Sequence, residues 1–141
     1  PPPPPPPPPP LFSSRRRHTR SGPQSRGLGD VYKRQFWEGC PAEHALLYMK
    51  EMYRRAQAAG GGKRVIVSET GWPNIGTPTD GAVPSFENAI KYLVDTFQWA
   101  EQDDIEMFYF SSFDETWKVE AEGDVGAYWG LWDKDGNLKY V

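Results

Sequence analysis

Val65-Ile66-Val67-Ser68-Glu69-Thr70-Gly71-Trp72-Pro73 decides how the rest of the chain is read. A short β-branched run predicts a buried strand of a parallel sheet. It ends in a carboxylate, a glycine and an aromatic ring. In an α/β barrel the C-terminal ends of the strands form the floor of the active site. Glu69 is therefore a candidate catalytic carboxylate, and Trp72 a candidate surface for stacking a sugar ring. Alone, Ser-Glu-Thr-Gly would suit an ordinary strand end whose glutamate caps the next turn. The Trp-Pro that follows, and the sequence downstream, favour the catalytic alternative.

Working outward, Pro41 suits the first turn of a helix, and Glu43 lies near the positive end of its dipole. Ala42, Ala45, Leu46, Met49, Tyr53 and Ala56 recur at helical spacing, and Gly60-Gly61-Gly62 ends the run. After the strand, residues 73–84 form a loop rich in Gly, Pro, Thr and Asp. Ser85 is an N-cap for a second helix, with Phe86, Ile90, Leu93, Phe97 and Ala100 as its expected buried stripe. Ile105 to Phe110 read as a second strand. Two strands joined by one helix make a βαβ unit with parallel strands. That topology puts Glu69 and Glu115 on the same edge of the sheet.

Three further segments follow: Phe113-Asp114-Glu115-Thr116-Trp117-Lys118, Glu122-Gly123-Asp124-Val125-Gly126 and Trp129-Gly130-Leu131-Trp132. With Ser68-Glu69-Thr70-Gly71-Trp72-Pro73 ahead of them, residues 36–141 resemble glycoside hydrolase family 17, the β-1,3-glucanases and related glucanosyltransferases, most closely the microbial branch. The resemblance implies an α/β fold that is the C-terminal part of a (β/α)8 TIM barrel, about strands 7 and 8 with flanking helices. It makes Glu69 the catalytic nucleophile and matches Glu115 and Lys118 to the glutamate and lysine after the eighth strand. Glu122 best matches a further glutamate of the family, with Glu120 competing for the alignment. Glu38, in Phe36-Trp37-Glu38-Gly39, falls in a segment that lines the cleft in microbial members; a solvated loop acid is the plainer alternative. Trp72, Trp117 and Trp129 adjoin strand-end motifs, where sugar stacking competes with core packing.

Retaining glycoside hydrolysis requires two carboxyl groups about 5–5.5 Å apart, one attacking and one donating a proton. By resemblance Glu69 attacks, and Lys118 nearby would favour its charged form. The family's proton donor follows an asparagine after the fourth strand, and no such position occurs in this sequence. Glu115 is read as an accessory cleft residue, compatible with a salt bridge to Lys118 three residues on. The activity implied is cleavage of β-1,3-glucosidic bonds in glucans. Glucanosyl transfer on the same scaffold and a non-catalytic carbohydrate-binding relative are the alternatives.

Residues 1–35 read differently. Pro1 to Pro10 are a homopolymer, Ser13 to Arg20 correspond to a translated flow-cell adaptor, and Ser25 to Gln35 to a transposon-end adaptor. Polyproline recognition and a basic nucleic-acid patch are the biological alternatives. The segment lacks apolar periodicity, is expected to be disordered, and is set apart from the domain at 36–141.

Setting it apart changes the charge. Nine basic and eighteen acidic residues remain, a formal charge of −9. Such a body disfavours nucleic acid and anionic membranes but suits a neutral β-glucan polysaccharide or oligosaccharide. Cys40 is the single cysteine, so no internal disulfide is expected. No apolar stretch is long enough to span a bilayer. His44 has no second ligand nearby, and Asp133 to Asn137 lack the later ligands of a calcium loop, so no metal is expected. The chemistry calls for no cofactor. By resemblance the whole enzyme is a monomer, extracellular or in the cell envelope.

A barrel of this type has eight strands, and the 106 residues after position 35 supply two. The expectation for the chain by itself is open sheet edges, low stability and no glucanase activity. Turnover of laminarin by purified chain above background would contradict it.

Overall fold

The computed structural model describes residues 34–141. The proline and arginine runs, with their expected disorder, lie outside the described residues. Helix α1 (Arg34–Trp37) leads into α2 (Ala42–Gly60), β1 (Val67–Thr70), α3 (Phe86–Asp103) and β2 (Met107–Tyr109). A 3-10 turn at Thr116–Lys118, α4 (Val119–Glu122) and a second 3-10 turn at Asp124–Ala127 follow.

Both long helices begin and end where local chemistry requires. Pro41 precedes α2, Glu43 lies in its first turn, and Gly61 closes it in the left-handed conformation at φ 57°. Ala45, Met49 and Tyr53 form its buried face, as their spacing predicts. At α3, the Ser85 hydroxyl accepts from the Asn88 amide at 3.0 Å.

The buried stripe of α3 differs from the expected one. Ala89, Tyr92, Thr96 and Trp99 face the core, whereas Phe86 and Phe97 are exposed and Ile90 and Leu93 half-buried. The helix carries two adjacent apolar faces. The face that packs includes polar-tipped residues, and Tyr92 satisfies its hydroxyl against Thr70 Oγ1 at 2.7 Å. The more hydrophobic face, with Leu93, Phe97 and Ala100, lines an open trough of about 940 Å³ shared with Met107, Phe108 and Leu131. Phe108 is 67 % exposed there. Among the described residues the two-stranded sheet leaves the outer edge of each strand without a neighbouring strand.

The strands pair in parallel, with Val67 opposite Met107 and Thr70 opposite Tyr109. Three steps along β1 therefore match two along β2, which is a bulge at Ser68–Glu69. Past the bulge the strand ends draw together: the Phe110 amide donates to Thr70 O at 2.6 Å. A Cβ at position 71 would run into the Phe110 carbonyl oxygen, so only glycine permits this approach.

Two apolar clusters flank the sheet. Met49, Tyr53, Val65, Val67 and Trp99 fill the lower one. Phe36, Trp72, Tyr92, Val125 and Trp129 dominate the upper one, beneath the strand ends. Gln35, at the last position of the excluded segment, is buried and donates to Met49 Sδ at 3.4 Å. Residues 129–132 run beside 111–114, held by Ser111 N to Trp129 O and Leu131 N to Ser111 O, both 2.9 Å.

Gly71→Ala is expected to destabilise by about 3 kcal/mol or more, because the new methyl group meets backbone rather than a flexible side chain. Loss of the cooperative unfolding transition in urea would be the sign. Burial pushes the Tyr92 phenol up to about 12, against the lowering effect of its bonds to Thr70 and Thr96. Burial and the Asp114 charge push Tyr140 up to about 12 as well. Both folded values exceed the usual 10.0, so their contribution is intact below that pH and lost as pH rises toward 12. Lys139 is held below its usual 10.5 and acts in the opposite sense up to that pH. Melting temperature should fall between pH 10 and 12, with a shallower slope in Tyr92→Phe.

Candidate active site

Glu69 stands one residue before the end of β1. The bulge sets its environment. In regular alternation Glu69 would share a face with Val67, which is fully buried; instead Val67 and Thr70 are buried while Ser68 and Glu69 are half-buried. A carboxylate at this strand end is thus kept out of the packed interior. The parallel pairing brings the end of β2, and the chain leading to Glu115, to the same edge.

Beyond β2, the Glu115 amide donates to Ala127 O at 3.2 Å, and the Lys118 amide closes a turn on Glu115 O at 3.0 Å. A 3-10 turn eclipses residues three apart, and Glu115 and Lys118 form a salt bridge, as their spacing predicts. The Lys118 ammonium lies 3.8 Å from the Phe110 ring centroid and 5.2 Å from that of Trp117. It therefore sits back over the end of β2, a cation–π arrangement. Trp117 itself is 70 % exposed. Glu122 ends α4 half-buried, whereas Glu120 is exposed.

The loops after the two strands are tied together. Asn74 N donates to Tyr128 O at 3.1 Å. The Asp124 carboxylate accepts from Thr77 N at 3.1 Å and Thr77 Oγ1 at 2.8 Å. These bonds hold its carboxyl below the usual range. Glu38, between α1 and α2, is exposed and accepts from the Tyr48 hydroxyl. Phe36 packs edge-on against Trp72 and Trp129, which brings this segment to the upper end of the sheet.

One expected role is corrected. Trp72 is 1 % exposed; its indole fits between Phe36 and Tyr92 and donates to Val83 O at 3.0 Å. It packs into the core and presents no exposed ring face. Trp129 is likewise a core residue. The bulky aromatics here fill the gap under two splayed loops, which the strand-end motif alone does not reveal.

Two residues that sequence reasoning passed over, Asn74 and Lys139, meet Asp114 here. Lys139 Nζ donates to Asp114 Oδ1 at 2.7 Å and to Asn74 Oδ1 at 2.8 Å. Desolvation holds the Lys139 ammonium below the ordinary lysine value, with the Asp114 charge opposing the shift. Asp114 was legible as the neighbour of Glu115, but nothing in the spacing links it to a lysine 25 positions away. Among the described residues no group of three or more His, Cys, Asp or Glu could hold a metal ion. None of their helices is long and apolar enough to cross a membrane.

The two tryptophans should separate in denaturation. Trp72→Ala is expected to cost about 3–5 kcal/mol through the cavity it leaves. Trp117→Ala, at a surface position, should cost within about 0.5 kcal/mol. Urea unfolding midpoints compare them directly.

Comparison with known proteins agrees with this geometry. The BtgE/BtgC glycoside hydrolase domain matches residues 35–130. A glucan 1,3-beta-glucosidase of Saccharomyces cerevisiae is 36 % identical over 76 residues, covering 52 % of this chain and 24 % of that protein. A glucan 1,3-beta-glucosidase of Candida albicans is 38 % identical over 80 residues, covering 52 % and 25 %. The chain thus spans about a quarter of the length of these curated relatives. An active-site mutant of Rhizomucor miehei beta-1,3-glucanosyltransferase, solved with laminaritriose, superposes with a TM-score of 0.72 at 34 % identity. That match covers 79 % of this chain and 40 % of the other. An endo-laminarinase from Formosa shares the fold, with a TM-score of 0.63 at 22 % identity. The mixed helix and strand architecture is that of part of a TIM barrel. The chain belongs to the BtgE/BtgC glycoside hydrolase domain family, within glycoside hydrolase family 17.

Proposed function

We propose that this chain carries the nucleophile side of a retaining glycoside hydrolase site acting on β-1,3-glucosidic bonds in glucans. In this reading β1 and β2 are the seventh and eighth barrel strands, and residues 36–141 are a partial barrel. The observation that carries it is the parallel pairing of β1 and β2, with half-buried Glu69 at the end of one strand and the Glu115–Lys118 pair beyond the end of the other.

The chemistry is a double displacement. A Glu69 carboxylate oxygen bonds to the anomeric carbon as the glycosidic C–O bond breaks. The leaving oxygen takes its proton from a second carboxylic acid, supplied by the part of the barrel outside this chain. Water then attacks the glycosyl-enzyme, gives its proton to that same residue, and releases Glu69. Lys118, neutralising Glu115 at the rim, keeps a second negative charge from opposing Glu69 ionisation. Trp117, exposed beside this pair, is the aromatic placed to meet a sugar, and Glu38 and Glu122 are polar groups of the cleft wall.

Glucanosyl transfer is the second reading, favoured by the likeness to the Rhizomucor miehei glucanosyltransferase. It follows the same path, except that a sugar hydroxyl replaces water as acceptor.

The test is Glu69→Gly in a chain that carries this segment within a complete barrel. Laminarin turnover should fall by about 10³-fold or more. Azide should restore it, releasing a glycosyl azide of inverted configuration. Undiminished turnover would overturn the assignment of Glu69, and product lengths would separate hydrolysis from transfer.

A further inference from the structure

Lys139 lies beyond the span matched by the family, which ends at residue 130. Its backbone amide donates to Leu131 O at 3.0 Å, laying the C-terminal segment against residues 129–132. Its side chain is 10 % exposed and that of Asp114 is 8 % exposed, so the pair is nearly dry. Each partner is a different loop. Asn74 lies five residues beyond Glu69, and the intervening Thr70, Gly71, Trp72 and Pro73 are all buried. Asp114 adjoins Glu115, and its Oδ1 also accepts from the Gly130 amide at 2.9 Å. Thr70 O and the Phe110 amide join the two strands at their ends, and Lys139 joins the loops further out. A point charge on a long stem is suited to this bridge, since it offers three donors in rotatable directions.

We propose that Lys139 is a positioning residue for the reaction: by holding Asn74 and Asp114 on one ammonium, it fixes the placement of Glu69 relative to the loop that carries Glu115. The proposal rests on the function given above. The reaction is sensitive to the placement of Glu69 itself, because displacement of a reacting group by about 1 Å can cost about 10²-fold in rate. Without the bridge, the polar links between the two loops would be the contacts at Asn74 N, Thr77 and Asp124.

Two measurements test it. In the 141-residue chain, hydrogen exchange followed by mass spectrometry compares Lys139→Met and Lys139→Arg with the parent. Lys134→Met, at an exposed lysine paired with Asp135, is the control. Lys139→Met should speed exchange at residues 71–74 and 112–115 about tenfold or more, leaving α2 and α3 unchanged. Lys139→Arg should restore most of the protection. In a complete barrel, made by grafting residues 35–141 onto the Rhizomucor miehei glucanosyltransferase scaffold, Lys139→Met should lower kcat about tenfold or more with KM within about twofold. A uniform rise in exchange, or none, overturns the proposal, and so does kcat within about twofold of the parent. If the graft does not fold, the exchange pattern decides alone. Glu69→Gln in the same graft keeps the two questions apart: activity there defeats the nucleophile assignment, whereas inactivity there with an unaffected Lys139→Met defeats only this proposal.

Discussion

The approach of two strand ends, Thr70 O to Phe110 N at 2.6 Å, is the contact on which everything above the sheet depends. It demands a residue without a side chain at position 71, and the bulge before it accounts for the unequal advance of the two strands. Beyond this contact the loops are tied to each other, and the space they enclose has to be filled. Phe36, Trp72 and Trp129 fill it, with Phe36 edge-on to both tryptophans. The same bulge separates Glu69 from Val67, so one strand delivers both a core residue and a solvent-reachable carboxylate.

Charge placement follows from that frame. The segment is strongly acidic, and several of its carboxylates lie on the chain beyond the strand ends. Each of those with a described partner is dealt with locally: Glu115 by Lys118, Asp114 by Lys139, Asp124 by the Thr77 amide and hydroxyl. Low exposure of the Asp114–Lys139 pair raises the value of that contact and the cost of losing it.

Much of this was legible in the sequence because it is local. The helix of Ala42–Gly60, the Ser85 cap, the two strands and their parallel order each follow from spacing or from a single residue's chemistry. The Glu115–Lys118 pair follows from an i,i+3 interval. What escaped depends on the third dimension. Periodicity could not choose between two apolar faces of α3, since the face that packs hides Tyr92 and Thr96. Motif position could not tell whether Trp72 points up into a groove or down into the core. No sequence signal ties Lys139 to Asp114, because their meeting depends on how residues 129–132 lie beside 111–114.

The central claim is that the carboxylate of Glu69 bonds to the sugar. A chain carrying this segment in a complete barrel can be treated with a 2-deoxy-2-fluoro laminaribioside bearing a good leaving group, which traps the covalent intermediate. Digestion and mass spectrometry should then find the added glycosyl mass on the peptide running from Val65 to Lys91, localised to Glu69. A label on Glu115 or on any other carboxylate would contradict the account.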